Sequence, residues 1–259
     1  MTDASISARK LDLGRVVRDT IAVLKKQAPL MFGASALLYL PVYLGSVLYT
    51  QSMMKASTSG DPTAALHVAA SPFYWLLVLL GIFLGSFMYG FQLSLSIGEL
   101  EGRPPTGQEA IQVGLKRCLP VFAASILFGL GVALGAVLLI VPGIILGIMW
   151  SVTLPAIVER GEVFAGFGHS RNLTRGNRWR IFGLLVATVI VMGVVQSILT
   201  ALAGGSIVNT GQPPLTALVV IAIYSAAVAA IFMALLDALY VQLRELKGGG
   251  GESVAQVFS

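Results

Sequence analysis

Residues 118–158 read CLPVFAASILFGLGVALGAVLLIVPGIILGIMWSVTLPAIV, and none of these 41 residues carries a charge. A helix rises ~1.5 Å per residue, so a single helix of this length would be ~60 Å long, about twice the ~30 Å hydrocarbon core of a membrane. The segment must therefore fold back on itself. Its Val141-Pro142-Gly143 sequence is typical of a turn, because proline lacks a backbone donor and glycine adopts dihedral angles closed to other residues. This predicts two transmembrane helices, near 119–140 and 144–158.

The rest of the chain shows the same separation of apolar and charged residues. Only 11% of its 259 residues are charged, against about a quarter in soluble domains. Uncharged segments at 27–54, 62–98 and 181–236 each have room for at least one span. Gly204-Gly205-Ser206 through Pro213-Pro214 predicts a break in the last segment. The predicted fold is therefore all-α, a six-span membrane domain over 10–244 with a disordered N-terminus at 1–9 and a flexible tail at 245–259, its other spans lying near 29–51, 73–97, 181–203 and 215–241.

The distribution of basic residues predicts the orientation of these spans. Of 17 lysines and arginines, only Lys55 falls in the loops at 52–72, 141–143 and 204–214. The other 16 lie in the segments on the opposite side of the predicted bundle. Because an excess of lysine and arginine marks cytoplasmic segments, both termini are expected in the cytoplasm. The basic character of the chain is explained by this topology, so we expect no nucleic-acid partner.

Three amphipathic helices are predicted on the cytoplasmic surface. The first covers 13–24, where apolar residues recur at helical spacing between charged ones. The second begins at Thr106, which stands three residues before Glu109 in a capping-box pattern. The third begins near Glu162 and is expected to end where Gly176 adopts a left-handed conformation. Each precedes a pair of spans, which indicates three units of one surface helix followed by one helical hairpin.

Several motifs in the second half of the chain carry a family resemblance. They are Val141-Pro142-Gly143-Ile144, Trp150, Pro155, Glu159, the segment SRNLTRGNRWRIF at 170–182 and LYVQLR at 239–244. With these residues the chain resembles the membrane domain of glycerophosphoryl diester phosphodiesterases, although that family usually has an aspartate where Gln242 stands. The resemblance implies a domain of the bacterial inner membrane connected with envelope lipids.

The catalytic activity in that family's name belongs to a separate barrel, which the resemblance does not include. The sequence also offers no convergent catalytic residues, since His67 and His169 are expected on opposite sides of the membrane. The single cysteine, Cys118, excludes both an internal disulfide and a multi-thiolate metal site. We therefore expect a protein that is not an enzyme and that uses no metal or cofactor.

Asp237 is the one acidic residue predicted to lie at some depth within a span. A charge at this position is costly and usually has a partner, so we expect a structural ion pair with Arg178 or Arg180. The alternative is a place in a transport path. In that case the protein would be a transporter for small solutes or lipids, with a polar cavity near Asp237 that opens to the cytoplasm.

A second candidate site is the basic segment that precedes the fifth span. Arg171, Arg175, Arg178 and Arg180 flank Trp179, which is typical of an interfacial anchor. The same residues are suited to an anionic phospholipid headgroup, because basic pockets on this side of a membrane bind such lipids. The sequence thus favours a lipid-associated accessory or scaffold protein in envelope lipid handling, with membrane lipids and an envelope protein as its expected partners.

Overall fold

The computed structural model describes residues 10–61, 63–210 and 215–247, and within these ranges every regular element is a helix. The predicted terminal segments, 1–9 and most of 245–259, lie outside the described residues. Nine helices are present in the described ranges: α1 Leu13–Thr58, α2 Ala64–Ala69, α3 Pro72–Leu100, α4 Gly107–Leu138, α5 Ile140–Met149, α6 Thr153–Arg160, α7 Val163–Thr174, α8 Arg178–Thr210 and α9 Leu215–Leu246.

Six segments of these helices are long and apolar enough to cross a membrane, as the charge pattern predicted. The fourth combines α5 and α6, and each of the others belongs to one long helix. The chain is therefore an integral membrane protein with several helices of spanning length. The segments are Leu13–Tyr39, Pro72–Leu100, Gly107–Val137, Val141–Arg160, Arg178–Leu199 and Ile223–Leu246.

The first two predicted surface helices are not separate elements. Residues 13–24 continue without interruption into the first span, and Pro29 does not end α1. The second runs from the Thr106 capping box, which is confirmed, through Pro120 to the end of α4. Such continuity follows from the low availability of water in a membrane, where a helix that breaks leaves its backbone groups unpaired. Only the third predicted surface helix is a separate helix, α7, and the location of all three at a membrane surface remains a prediction.

One predicted turn is in the wrong place, and one predicted break begins later than expected. The α4–α5 connection is at Leu139, whose backbone is extended, and Pro142 lies in the first turn of α5, where its missing N–H breaks no helical hydrogen bond. The break predicted from 204 through 214 does not begin at 204–206, because α8 continues to Thr210, and residues 211–214 lie outside the described residues. The fourth span also differs from its prediction, because residues 150–152 separate α5 from α6.

Glycine allows two pairs of helices to approach closely. A Cβ atom on Gly90 of α3 would lie 3.1 Å from the Cα atom of Gly114 on α4. One on Gly135 of α4 would lie 3.1 Å from the Cα atom of Gly143 on α5. Short backbone distances of this kind stabilise helix pairs in lipid, where apolar side chains gain little from leaving one apolar solvent for another. A Cβ atom on Gly147 of α5, in contrast, would meet no atom within 4 Å.

The buried core is concentrated where α3, α6 and α9 end. Its fully buried side chains include Leu11 before α1, Ile157 of α6 and Leu239 of α9. Large apolar side chains farther from this region, such as Leu134 and Val137 on α4, are exposed. Exposed apolar side chains are the normal surface of a helix in contact with lipid. The core therefore holds together the end of the bundle that carries most of the charged side chains.

Candidate functional site at the charged end

The charged end is the part of the bundle where α3, α6 and α9 end and α4 and α8 begin, together with the first turns of α1 and the whole of α7. Its centre is Arg244 of α9. The guanidinium donates from Nη1 to Glu159 Oε1 over 2.8 Å and from Nη2 to Glu101 Oε1 over 2.5 Å. Tyr240, one turn earlier, donates its hydroxyl hydrogen to the other oxygen of Glu159. These contacts connect the ends of α3, α6 and α9.

The network is largely shielded from solvent. The side chains of Arg244 and Glu159 are only 12% and 11% exposed. A paired charge in such a place is strongly held, because removal of one partner leaves the other buried without compensation. The amino-acid sequence alone does not predict this network. Its members stand at helix ends, where single charges are expected anyway, and only the folded chain brings residues this distant in sequence together.

The segment that precedes α1 is attached to the starts and ends of other helices. The backbone N–H of Leu11 donates to Asn177 Oδ1 over 3.2 Å, and Arg180 Nη1 donates to the Leu11 carbonyl over 2.7 Å. Arg15 donates to both carboxylate oxygens of Glu245, over 2.7 and 3.2 Å. The start of α1 is therefore fixed between α8 and α9, and Arg180 is part of this attachment.

Gln242, at the position where the family resemblance expects an aspartate, is buried against the same part of α1. With its amide oriented so that both atoms have partners, it donates to the Asp12 carbonyl over 3.2 Å and accepts from the Val16 N–H over 2.7 Å. An aspartate could not donate this hydrogen bond unless protonated. Glutamine thus supplies both a donor and an acceptor to the first turn of α1.

The predicted basic segment lies at the junction of α7 and α8. Gly176 has a positive φ of 91°, as predicted, and the chain turns there between the two helices. Arg171 and Arg175 are exposed, and Trp179 is 82% exposed. Lys247, which follows α9, is distant in sequence from this segment, yet its Nζ donates to the Arg175 carbonyl over 3.2 Å. Lys247 thus brings a fifth cation to the segment, at the carbonyl of Arg175.

The four arginines of this segment differ in the hydrogen bonds that they form within the protein. In the described ranges, no carboxylate forms an ion pair with Arg171, Arg175, Arg178 or Arg180. Arg180 already donates to the Leu11 carbonyl. The Nε atom of Arg178 is buried and has no hydrogen-bond partner in the part of the chain that the structure describes. The arginines of the predicted site that remain available to bind an anion are therefore Arg171, Arg175 and Arg178.

The ion pair expected between Asp237 and an arginine is not found among the described residues. Asp237 is fully buried, and its Oδ1 accepts a hydrogen bond from the Tyr89 hydroxyl over 3.3 Å. The prediction was wrong because Arg178 and Arg180 lie at the start of α8, and Arg180 is bonded to Leu11 instead. The sequence placed Asp237 inside a span but gave no sign of which helix faces it.

His169 of the charged end lies on α7, outside the six apolar segments. Burial lowers the pKa of His169, and the nearby positive charge of Arg160 lowers it further. Glu159 acts in the opposite direction with a smaller effect. The imidazole is therefore neutral at pH 7. No group of three or more histidine, cysteine, aspartate or glutamate side chains in the described ranges is arranged to hold a metal ion.

Comparison with known proteins gives one match. A family model described as a domain of unknown function, DUF7847, matches residues 107–243, from the start of α4 almost to the end of α9. No curated protein and no solved structure matches the chain. Nothing in the match connects the chain with the membrane domain of glycerophosphoryl diester phosphodiesterases, so that resemblance remains a prediction. Because the matched region is more than half of the chain, the protein belongs to the DUF7847 family of domains of unknown function.

Proposed function

We propose that this protein is a non-enzymatic, multi-pass protein of the bacterial inner membrane that binds anionic phospholipid headgroups at its charged end. Its role would be that of an accessory or scaffold protein in envelope lipid handling. The observation that carries the proposal is the segment Arg171, Arg175, Arg178 and Trp179, where cations without a carboxylate partner in the described ranges adjoin an exposed indole.

The chemistry of the segment is suited to a phosphate ester. A guanidinium offers a planar set of donors that binds two phosphate oxygens at once, and Arg178 has a buried Nε with no partner in the described residues. The indole of Trp179 is suited to the interface between headgroups and acyl chains. Each basic residue close to an anionic leaflet contributes ~1 kcal/mol, so charge alone favours this location for the segment.

The orientation in this proposal comes from the basic residues. With the exception of Lys55, every lysine and arginine lies on the predicted cytoplasmic side, where the anionic leaflet faces the charged end. The three amphipathic segments at 13–24, 107–118 and 163–174 would then lie at that surface.

The proposal is tested by the lipids that remain bound after purification. Arg175→Lys/Arg178→Lys preserves the charge of the segment but removes the planar donor sets, and it leaves the Arg180 bond to Leu11 intact. We expect native mass spectrometry in mild detergent to show ~10-fold less bound anionic lipid, since one charge-assisted hydrogen bond contributes ~1.5 kcal/mol or more. Zwitterionic lipid on the same protein serves as the internal reference.

Arg103→Lys is the matched control. Arg103 is also exposed at the charged end, in the connection between α3 and α4, outside the basic segment. This variant should retain as much anionic lipid as the wild type. Equal retention by all three proteins would show that the segment is a non-specific anchor, and the proposal of a headgroup site would be wrong.

A second candidate function is transport of a small solute or a lipid. The observation that favours it is the burial of Asp237 without an arginine in a segment of spanning length, since ionisable residues in such places are usually functional. A flux assay in proteoliposomes distinguishes the two candidate functions. A transporter would lose substrate flux on Asp237→Asn and retain it on Arg175→Lys/Arg178→Lys.

A further inference from the structure

Asp237 belongs to a small polar cluster buried between α3 and α9. Asp237 and Ser96 are both fully buried, and the Ser96 hydroxyl lies beside the carboxyl group. The Tyr89 hydroxyl donates to Asp237 Oδ1 over 3.3 Å. The second oxygen, Oδ2, and Ser96 Oγ have no hydrogen-bond partner in the described residues. Two unpartnered oxygen atoms, one of them on a carboxyl group, thus share one buried location.

A carboxylate ion does not fit this location. Transfer of a carboxylate from water to an apolar interior is strongly unfavourable unless a cation compensates it, and buried acids therefore commonly take up a proton. A protonated Asp237 has a hydrogen on Oδ2, which can be donated to Ser96 Oγ, while Oδ1 continues to accept from Tyr89. The Ser96 hydroxyl can also donate to an ionised Oδ2, but only a proton on Asp237 removes the uncompensated negative charge.

We propose that Asp237 is a proton-binding site of this membrane domain, in which the acid is held neutral between Tyr89 and Ser96 at pH 7. The inference is independent of the lipid site at the charged end. A metal cation is less suited to the same place, because the cluster offers four side-chain oxygens, one of them already engaged as a donor, where an alkali or alkaline-earth ion takes about six.

The surroundings of Asp237 contain no compensating charge in the described ranges. From α3 the titratable group that faces it is Tyr89. On α9 the next titratable group is Tyr240, which is bonded to Glu159 of α6. The helices α1 and α8 also pack against α9. Asp19 of α1 lies beside the amide of Gln242, which is more than one helical turn from Asp237 along α9. The helix α8 carries no charged residue after Arg180.

The helices α6 and α7, which pack less directly on this part of α9, also bring no compensating charge to Asp237 in the described ranges. The basic residues that flank α7, Arg171 and Arg175, are exposed, and Arg160 at the end of α6 acts on His169. Protonation of Asp237 would therefore make the cluster neutral without a charged partner from the described residues. Loss of that proton would place a negative charge in the α3–α9 contact, so proton binding would be linked to the packing of these two helices.

The test is infrared spectroscopy of the full-length protein in lipid nanodiscs at pH 7. A protonated carboxylic acid has a carbonyl stretching band that is separate from the carboxylate bands and moves when the sample is transferred to heavy water. We expect this band in the wild type and its loss in Asp237→Asn. Asp61→Asn is the control, because hydrogen bonds from Thr63 lower the pKa of exposed Asp61, which is therefore ionised and contributes nothing to the band.

Tyr89→Phe gives a second readout that does not require removal of the acid. This variant loses the hydrogen bond to the carbonyl oxygen Oδ1, so the band should remain and move to higher frequency. Absence of the band in the wild type, or its persistence unchanged in Asp237→Asn or Tyr89→Phe, would overturn the proposal. A wild type that lacks the band and is stabilised specifically by added sodium would identify the cluster as a cation site instead.

Discussion

Replacement of Arg244 by methionine removes the guanidinium that lies between Glu101 and Glu159. Methionine keeps much of the side-chain volume, so the main change is electrostatic. The Glu159 side chain is 11% exposed, and that of Glu101 is 27% exposed. Breaking a buried ion pair on one side costs about 3 to 5 kcal/mol. Because Glu101 is partly solvated, we expect Arg244→Met to lower the free energy of unfolding by about 3 kcal/mol.

The double variant isolates the electrostatic part of this loss. Glu159→Gln removes one of the two orphaned carboxylates and retains a hydrogen-bonding group for Tyr240. Arg244→Met/Glu159→Gln should therefore be more stable than the sum of the two single variants predicts, by about 1 to 2 kcal/mol, as expected for residues in direct contact. The assay is reversible unfolding in mixed micelles with an increasing fraction of denaturing detergent, followed by circular dichroism.

Arg15→Met is the control for Arg244→Met. Arg15 also donates to two carboxylate oxygens, but its side chain and that of Glu245 are 48% and 44% exposed. Exposed pairs contribute about 0 to 1 kcal/mol, so this variant should lose no more than that. The reasoning is refuted if Arg244→Met is no less stable than Arg15→Met, or if the effects of Arg244→Met and Glu159→Gln are additive.

Two further predictions concern helix packing and pH. Gly143→Ala places a Cβ atom 2.9 Å from the Ala136 backbone nitrogen, so it should destabilise the protein by about 1 to 3 kcal/mol. Gly147→Ala meets open space and should be neutral or stabilising by up to ~1 kcal/mol in the same assay. Because the folded state lowers the pKa of His169, the unfolded state binds more protons in acid. Stability should then fall as the pH falls through ~6.5. His169→Gln should remove this dependence in thermal unfolding measured between pH 5 and 8, whereas an unchanged profile would contradict it.

The six apolar helices were predictable because the cost of charge in lipid separates charged from uncharged residues along the chain. The exact turns were not. Pro142 and the Gly204-Gly205-Ser206 sequence are turn signals in water, yet the structure has both within helices. A membrane helix retains such residues because an interrupted helix has no water to satisfy its backbone groups.

The candidate sites were predictable only in part. Arg171, Arg175 and Trp179 form a local cluster, and the short connection between α7 and α8 keeps them together in the fold. The partners of Arg180 and Asp237 depend on which helices are neighbours. Leu11 and Tyr89, the residues that they contact, are distant in sequence, and no periodicity in the sequence indicates them.

The proposed function requires the charged end to face the cytoplasmic leaflet, and the single native cysteine makes this orientation directly measurable. Cys118 is 7% exposed, and Cys118→Ser provides a background without thiols. In that background, Ser59→Cys lies in the exposed connection after α1 and Arg103→Cys in the exposed connection before α4. With a membrane-impermeant thiol reagent on spheroplasts, we expect Ser59→Cys to be labelled at once and Arg103→Cys only after the membrane is permeabilised. Labelling of Arg103→Cys in sealed spheroplasts, with protection of Ser59→Cys, would contradict the account.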